Sequence, residues 1–144
     1  MEQKNQNYYE GVLQLRNANE EVLDFAIKEI EKSQSAAISK VREIGTGFDL
    51  YITRQKFLRS LGNKLQKHFG GQIIASRRIH TRNRQTSRDI YRINVLFRLS
   101  PFKKGDIIAY KGDKMQILQM HKRVLAKDIK TGRKLNLSFR DLMR

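Results

Sequence analysis

The sequence predicts an α+β fold in which two helices cover one face of a mixed or antiparallel sheet, followed by a small all-β unit. Three observations lead there. Over the first hundred residues, stretches of period two alternate with two stretches of helical period, in the order β-α-β-β-α-β-β. At Ser100-Pro101 the texture breaks, because proline cannot continue the hydrogen bonding of a central strand. Beyond that point the helical period is gone and short alternating runs take over. The expected units are therefore 1–100 and 101–144.

Each element has its own signal. "YYEGVLQLR" alternates as a strand, with Tyr9, Gly11, Leu13 and Leu15 expected on one face. "NANEEVLDFAIKEIEKS" offers Asn17 or Asn19 as N-cap, acids in its first turn, and Val22, Leu23, Ala26, Ile27 and Ile30 at helical spacing. Two strands follow around Gly45-Thr46-Gly47, where glycine tolerates a tight turn. Thr53 is placed to cap a second helix whose stripe is Leu58, Leu61, Leu65 and Phe69 and whose stop is Gly70-Gly71. Residues 72–81 and 88–99 have strand composition, with the polar "RNRQTS" between them as a long hairpin tip. After Pro101, about four strands separated by "KGD" and "KTG" turns suggest an SH3-like barrel, into which Met115, Met120 and Met143 pack.

Composition excludes several function classes. With no cysteine there is no disulfide framework, thiol nucleophile or thiolate zinc site, and the three histidines are too scattered to hold a metal by themselves. "GTG" is too short for a phosphate loop, and no paired-carboxylate, G-x-S-x-G or H-E-x-x-H motif is present, so no enzymatic activity is expected. No apolar run approaches a membrane span and the start lacks signal-peptide character, so the expected compartment is the cytoplasm.

What remains is charge. The net charge of +16 calls for a polyanionic partner and not a small molecule. Through Ser33 the chain carries four Lys/Arg against seven Asp/Glu, and from Gln34 onward twenty-six against seven, so the first helix is not the expected contact. The densest stretch is "RRIHTRNRQTSRDIYR", residues 77–92, with six arginines and one acid. Guanidinium groups are planar, always charged and forked to match phosphate oxygens. If Ile79 faces the core, alternation turns Arg78 outward with Arg82, Arg84, Arg88, Arg92 and Arg98. The predicted RNA contacts are these together with Arg77 and His80; a secondary set, Arg54, Lys56, Arg59, Lys64 and Lys67, lies on the polar face of the second helix. Tyr8, Tyr9, Tyr51 and Tyr91 are of a type that stacks on bases, although strand tyrosines mostly fill cores and edges. Two other readings stay open: a protein-interaction scaffold whose arginines serve solubility, and an RNA-processing enzyme using His80.

The strings "YYEGVLQLRN", "GFDLYITRQKFLRSLGNKLQKHFGG" and "RRIHTRNRQTSRDIYRINVLFRLSPFKKGD", in that order, resemble the central region of the large ribosomal subunit export adaptors, the nonsense-mediated mRNA decay protein three family, in its shorter archaeal form. The resemblance implies a non-enzymatic factor that binds the large ribosomal subunit, through rRNA and ribosomal proteins, during late maturation. It also implies a first domain like ribosomal protein L-twenty-two and a second like the N-terminal domain of translation factor five-A. Family members carry a zinc-binding N-terminal region of paired CxxC motifs; this chain has none, so it is expected to correspond to the two middle domains, without a cofactor and without the nuclear-shuttling tail. "RVLAKDIKTGRKLNLSF" resembles the last strands of the five-A domain, including the turn at Asp128, Ile129, Thr131, Gly132 and Lys134. The glycine-rich loop that bears a modified lysine in that factor corresponds here to a bare "MHKR", so the modification is not expected at Lys122.

Overall fold

The computed structural model describes residues 8–143 apart from 84, 86 and 87, and at 80–83 and 88–90 it describes the backbone only. The first unit runs β1 (Gly11–Arg16), α1 (Glu20–Ser33), β2 (Ile38–Ile44), β3 (Gly47–Ile52), α2 (Gln55–Phe69), β4 (Gly71–Asn83) and β5 (Arg88–Leu99). These strands form one sheet in the order β2-β3-β1-β5-β4. The sheet is mixed: β1 pairs antiparallel with β3 but parallel with β5, which places the first strand at its centre.

One face of the sheet is covered by both helices. Leu13 and Leu15 of β1, Leu50 and Ile52 of β3 and Val95 and Phe97 of β5 meet Val22, Ala26 and Ile30 of α1 and Leu58, Leu61 and Leu65 of α2 in a single buried cluster. Burying one such aliphatic side chain is worth about 1.5–3 kcal/mol, so this seam holds the unit together. Close approach is part of it. A Cβ on Gly62 of α2 would lie 2.9 Å from Cγ1 of Val95, and one on Gly47 would lie 1.8 Å from the Leu15 carbonyl oxygen. Asn19 caps α1, its Oδ1 accepting from the Val22 amide at 3.1 Å, while Gln34 ends the helix in a left-handed conformation.

Four expectations need correction. Thr53 does not cap α2: its Oγ1 accepts from the Ala37 amide at 2.9 Å, tying β3 to the segment before β2. The Gln55 amide at the helix start instead donates at 3.0 Å to Oε1 of Glu10, a carboxylate delivered from the other end of the unit. Tyr9 does not share the face of Leu13; it lies just before β1, where alternation no longer applies, and packs against Tyr51 on the opposite side. The arginine hairpin is longer and its tip shorter than expected, since pairing continues to Asn83↔Arg88. Finally, Ile79 is 62% exposed, because β4 and β5 run past the helices that would cover it.

The second unit is an antiparallel meander of β6 (Ile107–Tyr110), β7 (Asp113–Met120), β8 (Val124–Asp128) and β9 (Lys134–Leu137), closed by the one-turn α3 (Phe139–Leu142) that periodicity did not predict. Its own core is Met115, Ile117, Val124, Ala126, Leu137 and Phe139, with Met120 and Met143 packed against it. Among the described residues no pairing joins β9 back to β6. Lys111 and Gly112, both at positive φ, make the two-residue turn between β6 and β7. Asp128 shapes the next turn, its Oδ1 accepting from the Lys130 and Thr131 amides at 2.8 and 3.3 Å. The β7–β8 connection is short, as "MHKR" implies.

The two units meet at Ser100, which is buried. Its amide donates to the Gly70 carbonyl at 3.2 Å, and its hydroxyl donates to the Phe102 carbonyl at 3.1 Å. A Cβ on Gly70 would stand 3.3 Å from Met120, so the end of α2 touches the end of β7.

Candidate nucleic-acid interface

The sheet face opposite the helices is where the charge gathers. Strand alternation puts there every residue between those that enter the core, and the register shows which of them stand side by side. On β2, Lys40 and Arg42 are opposite Tyr51 and Asp49 of β3. On β5, Arg92, Asn94, Leu96 and Arg98 alternate with the buried Ile93, Val95 and Phe97. On β4, Arg78 stands directly opposite Arg92. The strip between, from β1, carries Val12 and Gln14, both half-buried.

Among the described residues Asp49 is the one acid on this face, and it is neutralised internally. It is buried beside Arg16, whose Nη1 lies 2.8 Å from Oδ1. Lys40, Arg42, Arg78 and Arg98 are exposed and, among the described residues, ion-paired to no carboxylate. Like charges directly opposite on neighbouring strands destabilise a sheet by a few tenths to about 1 kcal/mol. The juxtaposition of Arg78 and Arg92 therefore does not itself favour folding, and it gathers two positive charges on one face.

Aromatic rings hold part of this array in place. The Arg92 guanidinium sits 3.8 Å from the Tyr9 ring centroid and its Nε donates to the Tyr9 carbonyl at 3.2 Å. Tyr9 meets Tyr51 edge to face at 4.8 Å, and the Lys40 ammonium lies 4.5 Å from the centroid of Tyr51. A row of cation, ring, ring and cation thus crosses the sheet from β2 to β5. Each cation–π contact is worth about 0.5–2 kcal/mol, enough to fix a long side chain without discharging it. At the same end, Tyr8 donates to Oε2 of Glu10 at 2.6 Å. That bond above all, with burial and the Glu10 charge added, raises the Tyr8 hydroxyl above its usual range, against the opposing pull of Arg54 and Arg92.

The predicted contacts divide. Arg78, Arg92 and Arg98 do share the helix-free face, though Arg92 is half-buried and engaged with Tyr9. Arg77 does not join them: it is opposite Ile93, on the helix side where the hairpin overhangs, with its guanidinium 5.5 Å from the Tyr91 ring. The backbones of His80, Arg82 and Arg88 lie in the hairpin strands, with Arg82 opposite Asp89, but their side chains are outside the described residues, as is Arg84 altogether. The secondary set is exposed on the helix layer and so belongs to the other side of the sheet, apart from Arg54 at the start of α2, near Tyr8. Lys64 is committed to Glu29 at 3.2 Å, and that bond, reinforced by the charges of Lys64 and Lys32, lowers the Glu29 carboxyl. His68 stacks on Phe25 at 4.5 Å, a packing role.

Sequence reading missed Lys40 and Arg42. The alternation in "ISKVREI" held the signal, since Lys40 and Arg42 must share a face with each other and not with Glu43. Arg16 was missed for another reason: its partner Asp49 lies on a strand thirty-odd residues away, and only the β1–β3 pairing brings them together.

Among the described residues no group of three or more His, Asp or Glu side chains is placed to hold a metal, and no helix is long and apolar enough to cross a membrane. Among curated proteins none matches the chain. A family model described as NMD3, second domain, matches residues 8–99, which span the whole five-stranded sheet and both of its helices. Since that match covers well over half of the chain, the protein belongs to the NMD3 family, a ribosome-associated adaptor family linked to binding and export of ribosomal subunits.

Proposed function

We propose that this chain is a non-enzymatic binding factor for the large ribosomal subunit, acting in the cytoplasm in late subunit maturation or quality control through contacts with rRNA and ribosomal proteins. In this reading residues 1–100 are an RNA-contacting module like ribosomal protein L-twenty-two. Residues 101–144 are an SH3-like module akin to the N-terminal domain of translation factor five-A. The observation that carries it is the helix-free face of the sheet that the family match spans, where Lys40, Arg42, Arg78 and Arg98 stand without carboxylate partners among the described residues. Such a face suits a phosphate backbone, whose neutralisation releases counterions. Arg82, Arg84 and Arg88 belong to the same proposed set of RNA contacts.

A scaffold role for the second unit has its own support: Ile107 and Ile129 are 61% and 49% exposed there, which suits an apolar protein contact.

Co-sedimentation with purified large and small ribosomal subunits over a salt series tests the reading. Saturable binding to the large subunit, weakened by Arg78→Glu with Arg98→Glu and by salt, is expected. Equal, non-saturating binding to both subunits overturns it.

A further inference from the structure

The helix-free face has the layout of a surface for two phosphate backbones and not for unstacked bases. Its cations form two groups. Lys40 and Arg42 lie along the edge strand β2; Arg78, Arg92 and Arg98 lie along β5 and the other edge strand, β4. Three strand spacings separate β2 from β5 and four separate it from β4, about 14 and 19 Å. Between the groups runs a strip without net charge, where the half-buried Gln14 of β1 carries an amide that can donate and accept, and where Asp49 is cancelled by Arg16.

The tyrosines on this face are not free platforms. A sheet that reads single-stranded RNA presents open aromatic rings on which bases stack. Here the Tyr9 ring already carries Arg92, the Tyr51 ring already carries Lys40, and the two rings meet each other at 83°. Their role is to hold cations at set positions. Two cationic rows flanking a neutral, amide-bearing strip match double-stranded RNA, whose wide, shallow minor groove displays 2′-hydroxyls between two lines of phosphates.

We infer that the helix-free face of this sheet binds an RNA duplex across its minor groove, the β2 cations on one strand's phosphates and the β4–β5 cations on the other's. This rests on the proposed RNA contact and specifies its substrate class. Five phosphate contacts also imply a steep salt dependence, a slope of about −4.5 in log affinity against log salt.

The test uses the whole chain, an RNA duplex of about 20 base pairs, which offers two successive minor grooves, and the single strand of the same length and sequence. Two double variants, Lys40→Gln with Arg42→Gln and Arg78→Gln with Arg98→Gln, alter exposed side chains in one row each. The expected result is duplex binding at least about tenfold tighter than single-strand binding, with a further loss of about tenfold in either variant. Single-strand binding equal to or tighter than duplex binding, with Tyr51→Leu the most damaging change, overturns the inference in favour of base stacking. A loss confined to one row overturns it as well. In both of those cases large-subunit co-sedimentation that still responds to Arg78→Glu keeps the RNA reading alive; loss of subunit binding and of both RNA affinities sinks the two together.

Discussion

The guanidinium carbon of Arg92 sits 3.8 Å from the ring centroid of Tyr9 while its Nε donates to the same residue's carbonyl oxygen. One residue before β1 therefore fixes a cation on β5. Tyr9→Leu removes that contact and the edge-to-face pairing with Tyr51, and is expected to cost about 1–2 kcal/mol in urea unfolding. Tyr9→Phe keeps the ring and is expected to stay within about 0.5 kcal/mol of the parent.

Glu10 joins two functions in one carboxylate, capping α2 through Gln55 and accepting from Tyr8. Glu10→Ala is expected to destabilise the unit by about 1 kcal/mol, as loss of a helix cap does. It should also bring the Tyr8 hydroxyl back down, because the hydrogen bond to Glu10 is the chief cause of its elevation. Ultraviolet titration of the tyrosines follows this directly. A raised folded-state value means that the stabilisation is present below the ordinary tyrosine range and is lost as pH rises through it, so the parent should lose more stability at alkaline pH than the variant.

Gly47 and Gly45 flank the same turn but differ in cause. Gly47→Ala places a methyl inside the Leu15 carbonyl and must open the β1–β3 ladder, an expected loss of about 3 kcal/mol. At Gly45 a Cβ meets nothing within 4 Å and only its φ of 44° is strained, so Gly45→Ala should cost about 1 kcal/mol. Equal losses in chemical denaturation would contradict the close approach at Gly47.

Glu29 carries a pH prediction. Its carboxyl is lowered by Lys64 first and Lys32 second, so its contribution to stability is present above the ordinary glutamate range and is lost as pH falls through the lowered value. Lys64→Met should lower the urea midpoint at neutral pH and leave it nearly unchanged in strong acid, which flattens the acid limb of the stability profile.

The two basic surfaces should also separate in binding. Lys56→Gln with Lys67→Gln, on the helix layer, is expected to change large-subunit affinity less than about twofold, against about tenfold for Arg78→Gln with Arg98→Gln. The salt slopes of the two variants give the same comparison independently.

Local pattern carried much of this fold into view. The helices, the glycine turn at 45–47 and the meander strands rest on contacts between near neighbours, and such contacts write themselves into periodicity. What stayed hidden depends on partners far along the chain: the Glu10 cap on α2, the Arg16–Asp49 pair, and the side taken by Tyr9 where strand alternation ends. For the candidate site the same division holds. Alternation correctly set Arg78 beside Arg92 and Arg98 on the face away from the core, but density of arginine drew attention to Arg77, which register sends to the other side. It also drew attention away from Lys40 and Arg42, whose short strand carries Glu43 beside them and so does not stand out as basic in the sequence.

The parallel pairing of β1 with β5 bears on how the chain reaches this state. The strand at the middle of the sheet is made first, yet its second neighbour is among the last elements of the unit, with Asn17 and Leu99, 82 residues apart in sequence, joined by a hydrogen bond. A contact that distant must close a long loop before it gains anything, which slows folding. During synthesis β1 and β3 can pair while β1 keeps an open edge, and the sheet's cation-bearing face is incomplete until Leu99 has left the ribosomal tunnel. The face proposed for RNA is thus completed last, and a chain arrested before β5 would carry the first helix and its acids without it.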